Sequence, residues 1–150
     1  MNHVTLRPYS AADEDAAIAL WHRTWTFHYP HIDFDERLAW WRERWRKELV
    51  PNAHIVLAEI GTTPIGFVTI DPLTQYLDQI VVAPEHWGGP AASYLLNEAK
   101  RLSPRGIELM VNKDNARAIR FYGKHGFVHS GEDKNPVSGR PVNKMSWRPD

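Results

Sequence analysis

The chain contains no cysteine. That excludes a disulfide framework, a thiolate zinc site and a cysteine nucleophile. It also lacks net charge, because 18 basic and 18 acidic residues cancel. There is therefore no electrostatic footprint for nucleic acid, and no polybasic block suits an anionic membrane. The apolar runs are too short to span a bilayer. The opening stretch, Met1 to Ser10, lacks the apolar centre of a signal peptide. No repeat or low-complexity segment is visible. What these absences leave is one soluble domain over residues 1–150, long enough for a sizeable core and expected in the cytoplasm.

The richest stretch runs from Leu77 to Ala99. Leu77, Ile80, Val81 and Val82 form a short run rich in β-branched residues, which predicts a buried strand. Pro84 stops it, since proline donates no ladder hydrogen bond. Gly88 and Gly89 predict a tight turn where backbone can approach a ligand. Ala91, Leu95, Ala99 and Leu102 then recur at helical spacing. The start of such a helix presents unpaired N–H groups and suits an anion, above all phosphate.

Before this stretch, Val4 to Arg7 alternates as a first strand. Ser10 and Asp13 form a capping-box pattern for a helix that carries Ala17, Trp21, Thr24, Trp25 and His28 and ends at Pro30. A second helix is predicted over 34–48, because Phe34, Leu38, Trp41 and Trp45 make an apolar stripe. Arg42, Glu43, Arg46 and Lys47 are expected to face water. Strands over 54–60 and 65–70 form a hairpin with a four-residue loop. After the glycine turn and its helix come a strand over 107–111, a helix opening at Asp114 or Asn115, and two strands, about 127–131 and 142–147. Gly126 falls where a left-handed helix cap is wanted. The order is βααβββαβαββ, a mixed α/β architecture.

Two motifs carry a resemblance. The first is the strand ending in Val82–Ala83–Pro84 with the turn Trp87–Gly88–Gly89–Pro90–Ala91–Ala92. The second is Asn115, Ala118, Phe121, Tyr122, Gly126 and Phe127. Together they resemble the GNAT superfamily of acyl-CoA-dependent N-acetyltransferases. The second motif matches in full. In the first, Trp87 stands where Arg or Gln is usual and Pro90 where a glycine is usual. The resemblance implies a single GNAT-like domain whose mixed sheet is splayed between its central strands, with acetyl-CoA as cosubstrate in the gap. It implies backbone contacts to the cofactor arm from Ile80, Val81 and Val82, with a backbone N–H near Val81 on the thioester carbonyl. A pyrophosphate cradle would come from Gly88, Gly89, Ala91 and Ala92, with Trp87 stacking or packing beside it. Asn115 and Ala118 would meet the arm, and Tyr122 would be the general acid toward the departing thiolate.

A tyrosine hydroxyl suits that last role because it stays protonated at neutral pH. The base is left open between Asp78 and Gln79, with Asp71, Glu108, His28 and His31 further afield. Plain alternation puts Asp78 and Gln79 on opposite faces of their strand, and a bulge would reverse that parity. Trp25, His28, Tyr29 and His31 are the expected acceptor-side residues. Trp41 and Trp45 are expected to be core. Two histidines and an aspartate at His28, His31 and Asp33 lack zinc-site spacing, so no metal is expected. The partner is an amine acceptor, and the protein is a monomer or homodimer. The rival reading is a degenerate CoA-binding module without transferase activity, suggested by Trp87 and Pro90.

Overall fold

The computed structural model describes residues 3–136 and 138–149. Among these residues seven strands form one sheet: β1 (Val4–Pro8), β2 (His54–Ile60), β3 (Thr63–Asp71), β4 (Tyr76–Val82), β5 (Ile107–Asn112), β6 (Val128–Lys134) and β7 (Pro141–Trp147). Their spatial order is β1-β2-β3-β4-β5-β7-β6. Every neighbouring pair is antiparallel except β4 with β5, which is parallel and meets only at Tyr76 opposite Glu108. Beyond that pairing the two strands diverge, so the sheet opens between their C-terminal halves. This is the expected splay, in the expected element order.

Helices cover both faces of the sheet. On one side lie α1 (Glu14–His28) and α2 (Leu38–Arg44). On the other lie α4 (Ala91–Leu102) and α5 (Ala116–Lys124). The apolar stripe of α4 buries Ala91, Leu95 and Ala99 against sheet residues such as Val68, Ile70 and Val82. The opposite core is aromatic, with Trp21, Trp41 and Trp45 buried against Leu57, Phe67 and Val81. Trp21 and Trp41 stack with ring centroids 4.7 Å apart. At the other end of the chain's helices, Gly126 has φ +86°. Phe127 N–H reaches the Tyr122 carbonyl and Gly126 N–H reaches that of Gly123, the paired bonds of a Schellman cap.

Three expectations change. The second helix does not end at residue 48. It passes through a π-turn at Trp45–Leu49 into a final turn, α3 (Val50–Asn52), with Pro51 inside it. The wider turn bonds Val50 N–H back to the Trp45 carbonyl. The hairpin loop has two residues rather than four, because β3 already starts at Thr63 opposite Ile60. Pro64 sits in that strand opposite Glu59, beside a bulge, where a missing donor is tolerated. Finally, Arg42 of α2 and Arg46 of the π-turn do not simply face water: both bind Glu14 at 2.7 Å and tie their helix to α1. Among the described residues no helix is long and apolar enough to cross a membrane.

Candidate active site

The splay creates a cavity of about 440 Å³. Its floor is β4 and β5, through Tyr76 to Ile80 and Leu109 to Asn112. Asn115, Ala118 and Tyr122 of the α5 segment close one side. Ile32 and Phe34 of the α1–α2 connection and Asn135, Pro136, Ser138 and Arg140 between β6 and β7 complete the lining.

Strand β4 prepares its free edge by alternation. Ala83 N–H donates to the Ile65 carbonyl and Gln79 N–H to Thr69 Oγ1, so residues 79, 81 and 83 turn their backbone groups toward β3. Those of Ile80 and Val82 therefore face the gap. The gap-facing amide expected near Val81 is thus that of Ile80 or Val82, since Val81 is spent on β3.

A bulge sits in β4. Thr69 pairs with Gln79 and Ile70 with Leu77, which leaves Asp78 unpaired. The extra residue cancels the alternation that would have separated Asp78 from Gln79. Instead both line the cavity, and Gln79 Nε2 donates to Asp78 Oδ1 at 3.1 Å. Arg44 of α2 clamps Asp78 through both carboxylate oxygens. Of the other base candidates, Asp71 is engaged as a turn cap on Leu73 N–H, and Glu108 is exposed and faces Arg148.

Tyr122 is buried at the cavity wall. Its hydroxyl makes no protein hydrogen bond among the described residues. Burial pushes that hydroxyl far above the ordinary tyrosine range, and the neighbouring Tyr76 adds to the effect. Tyr76 itself is pushed up to about 12, by burial first and Asp78 second. Asn115 caps α5 by accepting from Ala118 N–H at 3.1 Å, and it lines the cavity as well.

The glycine turn lies outside this cavity. Gly88 adopts φ +86°, a conformation that favours glycine. Pro90 is the N-cap of α4. Gly89 N–H is engaged by the His86 carbonyl at 3.2 Å, so the expected cradle is reduced to the amides of Gly88, Ala91 and Ala92. Trp87 has an unexpected partner: its Nε1–H donates to the Val82 carbonyl at 2.7 Å. Arg117 of α5 covers the indole face at 5.0 Å, and the rings of Phe27 and His28 abut it edge-on at 5.5 and 5.9 Å.

The acceptor-side residues divide. Trp25 and Tyr29 line the cavity. His28 does not; it sits against Trp87, and burial holds its pKa below the usual value. His31 is exposed and touches only the Tyr29 ring among aromatic neighbours. The Tyr29 hydroxyl accepts from Asn112 Nδ2 at 2.8 Å and donates to Asp114 Oδ1 at 3.1 Å, which fastens the end of α1 to the end of β5. Sequence reasoning missed Arg44, Arg37, Trp40, Tyr76 and Arg140 in the lining. Among the described residues no three histidine, aspartate or glutamate side chains converge as a metal site.

A mixed sheet split between its parallel strands, with a tyrosine and an unpaired strand edge at the split, defines an acyltransferase of the kind the two motifs resemble. The chain belongs to the GNAT acetyltransferase family, whose model matches residues 15–127. It is similar to the peptidyl-lysine N-acetyltransferase YjaB of Salmonella typhimurium, with 24% identity over 139 residues and 92% of each chain covered. Its fold resembles that of the PaiA N-acetyltransferase from Thermoplasma acidophilum in complex with coenzyme A. There the TM-score is 0.80 at 21% identity, over 98% of this chain and 99% of that one. The apo form of YjaB from Escherichia coli is also similar, with TM-score 0.76, 20% identity and 97% of each chain covered.

Proposed function

We propose that this protein moves an acetyl group from acetyl-CoA to the nitrogen of an amine by direct attack with both substrates bound. The carrying observation is the cavity in the β4–β5 split, where a free strand edge and the unengaged hydroxyl of Tyr122 meet. The residues fit the cosubstrate. Ile80 and Val82 offer backbone donors and acceptors to an amide-bearing arm, as an added strand would use them. The amides of Gly88, Ala91 and Ala92 at the start of α4 suit a pyrophosphate. Bound acetyl-CoA supplies a thioester as the acyl donor.

The chain's own groups divide the remaining work. An N–H of Ile80 or Val82 polarises a carbonyl placed against the edge. Tyr122 keeps its proton at neutral pH and donates it from its hydroxyl oxygen toward a departing sulfur. Asp78, held by Arg44, is assigned to fixing the Gln79 side chain rather than to taking a proton; the proton that leaves the attacking nitrogen passes through solvent and restores the Tyr122 hydroxyl. Titration of the purified protein with acetyl-CoA, with CoA and ATP as controls, tests the reading when followed by an amine screen. Micromolar binding that needs the pantetheine arm, with turnover, supports it. One observation favours a second reading: Trp87 already occupies the Val82 carbonyl. Binding of CoA without turnover of any amine would make the protein a degenerate CoA-binding module.

A further inference from the structure

The cavity lining has an uneven charge. Among the described residues, three guanidinium groups, from Arg37, Arg44 and Arg140, line it against one carboxylate, that of Asp78. Arg44 is spent on Asp78. Arg140 binds Asp114 Oδ2 at 2.5 Å and lies over the Tyr29 ring at 4.5 Å. Arg37 is different. It rests over the Phe34 ring at 5.3 Å, and no carboxylate pairs with it among the described residues. The walls between are flat and apolar, including Trp21, Trp25, Phe34, Trp40 and Trp41.

A positive, partly enclosed lining repels a cation and attracts an anion. The first effect helps the chemistry, because an ammonium must lose its proton before it attacks. A lining that disfavours the ammonium reduces the need for a strong base, and among the described residues no free carboxylate or histidine lines the cavity. The second effect bears on the acceptor's other end. We infer that the acceptor is a small amine carrying a carboxylate and an apolar or aromatic body, an amino-acid-type molecule whose carboxylate pairs with Arg37. A guanidinium fork is suited to that pairing. The inference rests on the acetyltransferase reading. It also separates this protein from an enzyme for lysine side chains, which bring a cation and no adjacent anion.

The test compares phenylalanine with 2-phenylethylamine, which share a ring and an amine and differ by the carboxylate. The expected kcat/KM is at least about tenfold higher for phenylalanine, the size of one charge-assisted hydrogen bond. Arg37→Gln should collapse that ratio to near one, and Arg37→Lys should restore part of it. Preference for 2-phenylethylamine or for a lysine peptide overturns the inference, as does an Arg37→Gln effect equal on both amines. A second readout needs no turnover: calorimetric titration with N-acetylphenylalanine and with N-acetyl-2-phenylethylamine, with and without CoA. Equal affinities overturn the inference even if acetyl-CoA binding is sound. Failure of acetyl-CoA to bind instead strikes the acetyltransferase reading.

Discussion

Replacing Trp87 with phenylalanine should make the protein less stable and yet a better CoA binder. The indole Nε1–H donates to the Val82 carbonyl at 2.7 Å. That carbonyl belongs to the edge of β4 that faces the gap. A neutral hydrogen bond of this kind contributes about 0.5–1.5 kcal/mol net. Trp87→Phe removes the donor and keeps an aromatic ring against Phe27 and His28, so unfolding free energy should drop by about that amount. On the proposed reading, an amide of the cofactor arm uses the same carbonyl, and in the wild type it must first displace the indole. Deleting the internal donor removes that cost. The affinity for acetyl-CoA should then rise by about 2- to 12-fold, the same free energy converted at 1.4 kcal/mol per factor of ten. Loosening the Arg117 stack, seated at 5.0 Å, acts in the same direction by freeing a cation close to the phosphate cradle. Urea unfolding and calorimetric titration read the two quantities separately. A Trp87→Phe protein that binds acetyl-CoA more weakly, with its urea midpoint unchanged, would refute the reasoning. Trp87 would then be a direct cofactor contact, and the Val82 carbonyl would not be the arm's acceptor.

Tyr122→Phe should lower kcat by about 10²–10⁴-fold with little change in acetyl-CoA affinity; steady-state rates with unchanged turnover would remove Tyr122 from the mechanism. A Cβ added at Gly66 would lie 2.6 Å from the Val81 carbonyl oxygen, so Gly66→Ala should cost about 1–3 kcal/mol through forced backbone shifts, read as a lower denaturant midpoint. The Arg7 guanidinium, with the Ser10 N–H, holds the Asp13 carboxyl down to about 2. Its stabilising effect is complete above the ordinary aspartate value near 4 and is lost as pH falls from about 4 to about 2. Melting temperatures at pH 7 and pH 3 should therefore diverge, and Asp13→Asn should flatten part of that slope. Trp41→Ala, at a site 2% exposed, should cost about 3–5 kcal/mol, or prevent folding outright.

Periodicity carried most of the fold. The α4 stripe is legible because Ala91, Leu95 and Ala99 repeat at helical spacing and are buried together. The cap at Gly126 is legible because its positive φ favours glycine. Where the reading slipped, a local rule was overridden by a neighbour. Pro64 reads as a turn residue until the bulge beside Glu59 gives its missing N–H nothing to lose. Pro51 reads as a stop until the preceding π-turn carries the helix past it. Of the cavity lining, Asn115, Ala118 and Tyr122 were legible from the motif, Asp78, Gln79 and Ile80 from their strand, and Trp25 and Tyr29 from the end of the first helix. Arg44 reaches Asp78 across 34 positions of sequence, and nothing local to either residue announces that pairing.

The two departures from the family's glycine-turn motif take on physical content in this light. A residue of Arg or Gln type at position 87 would offer the phosphates a donor. The indole offers its one N–H inward, to β4. Pro90 lacks an N–H, but as N-cap of α4 it gives up no intrahelical bond, and its carbonyl still accepts from Tyr94 N–H at 3.0 Å. The helix start is therefore intact even though the cradle has fewer donors. On the proposed reading, the smaller number of free amides at the turn leaves a larger share of the cofactor's binding energy to the pantetheine arm. CoA lacking its nucleotide, as acetyl-pantetheine, measures this directly. It should retain a larger share of the cofactor's affinity here than in a variant carrying Trp87→Arg and Pro90→Gly. Equal proportional losses in the two proteins would show that the turn still carries its full weight.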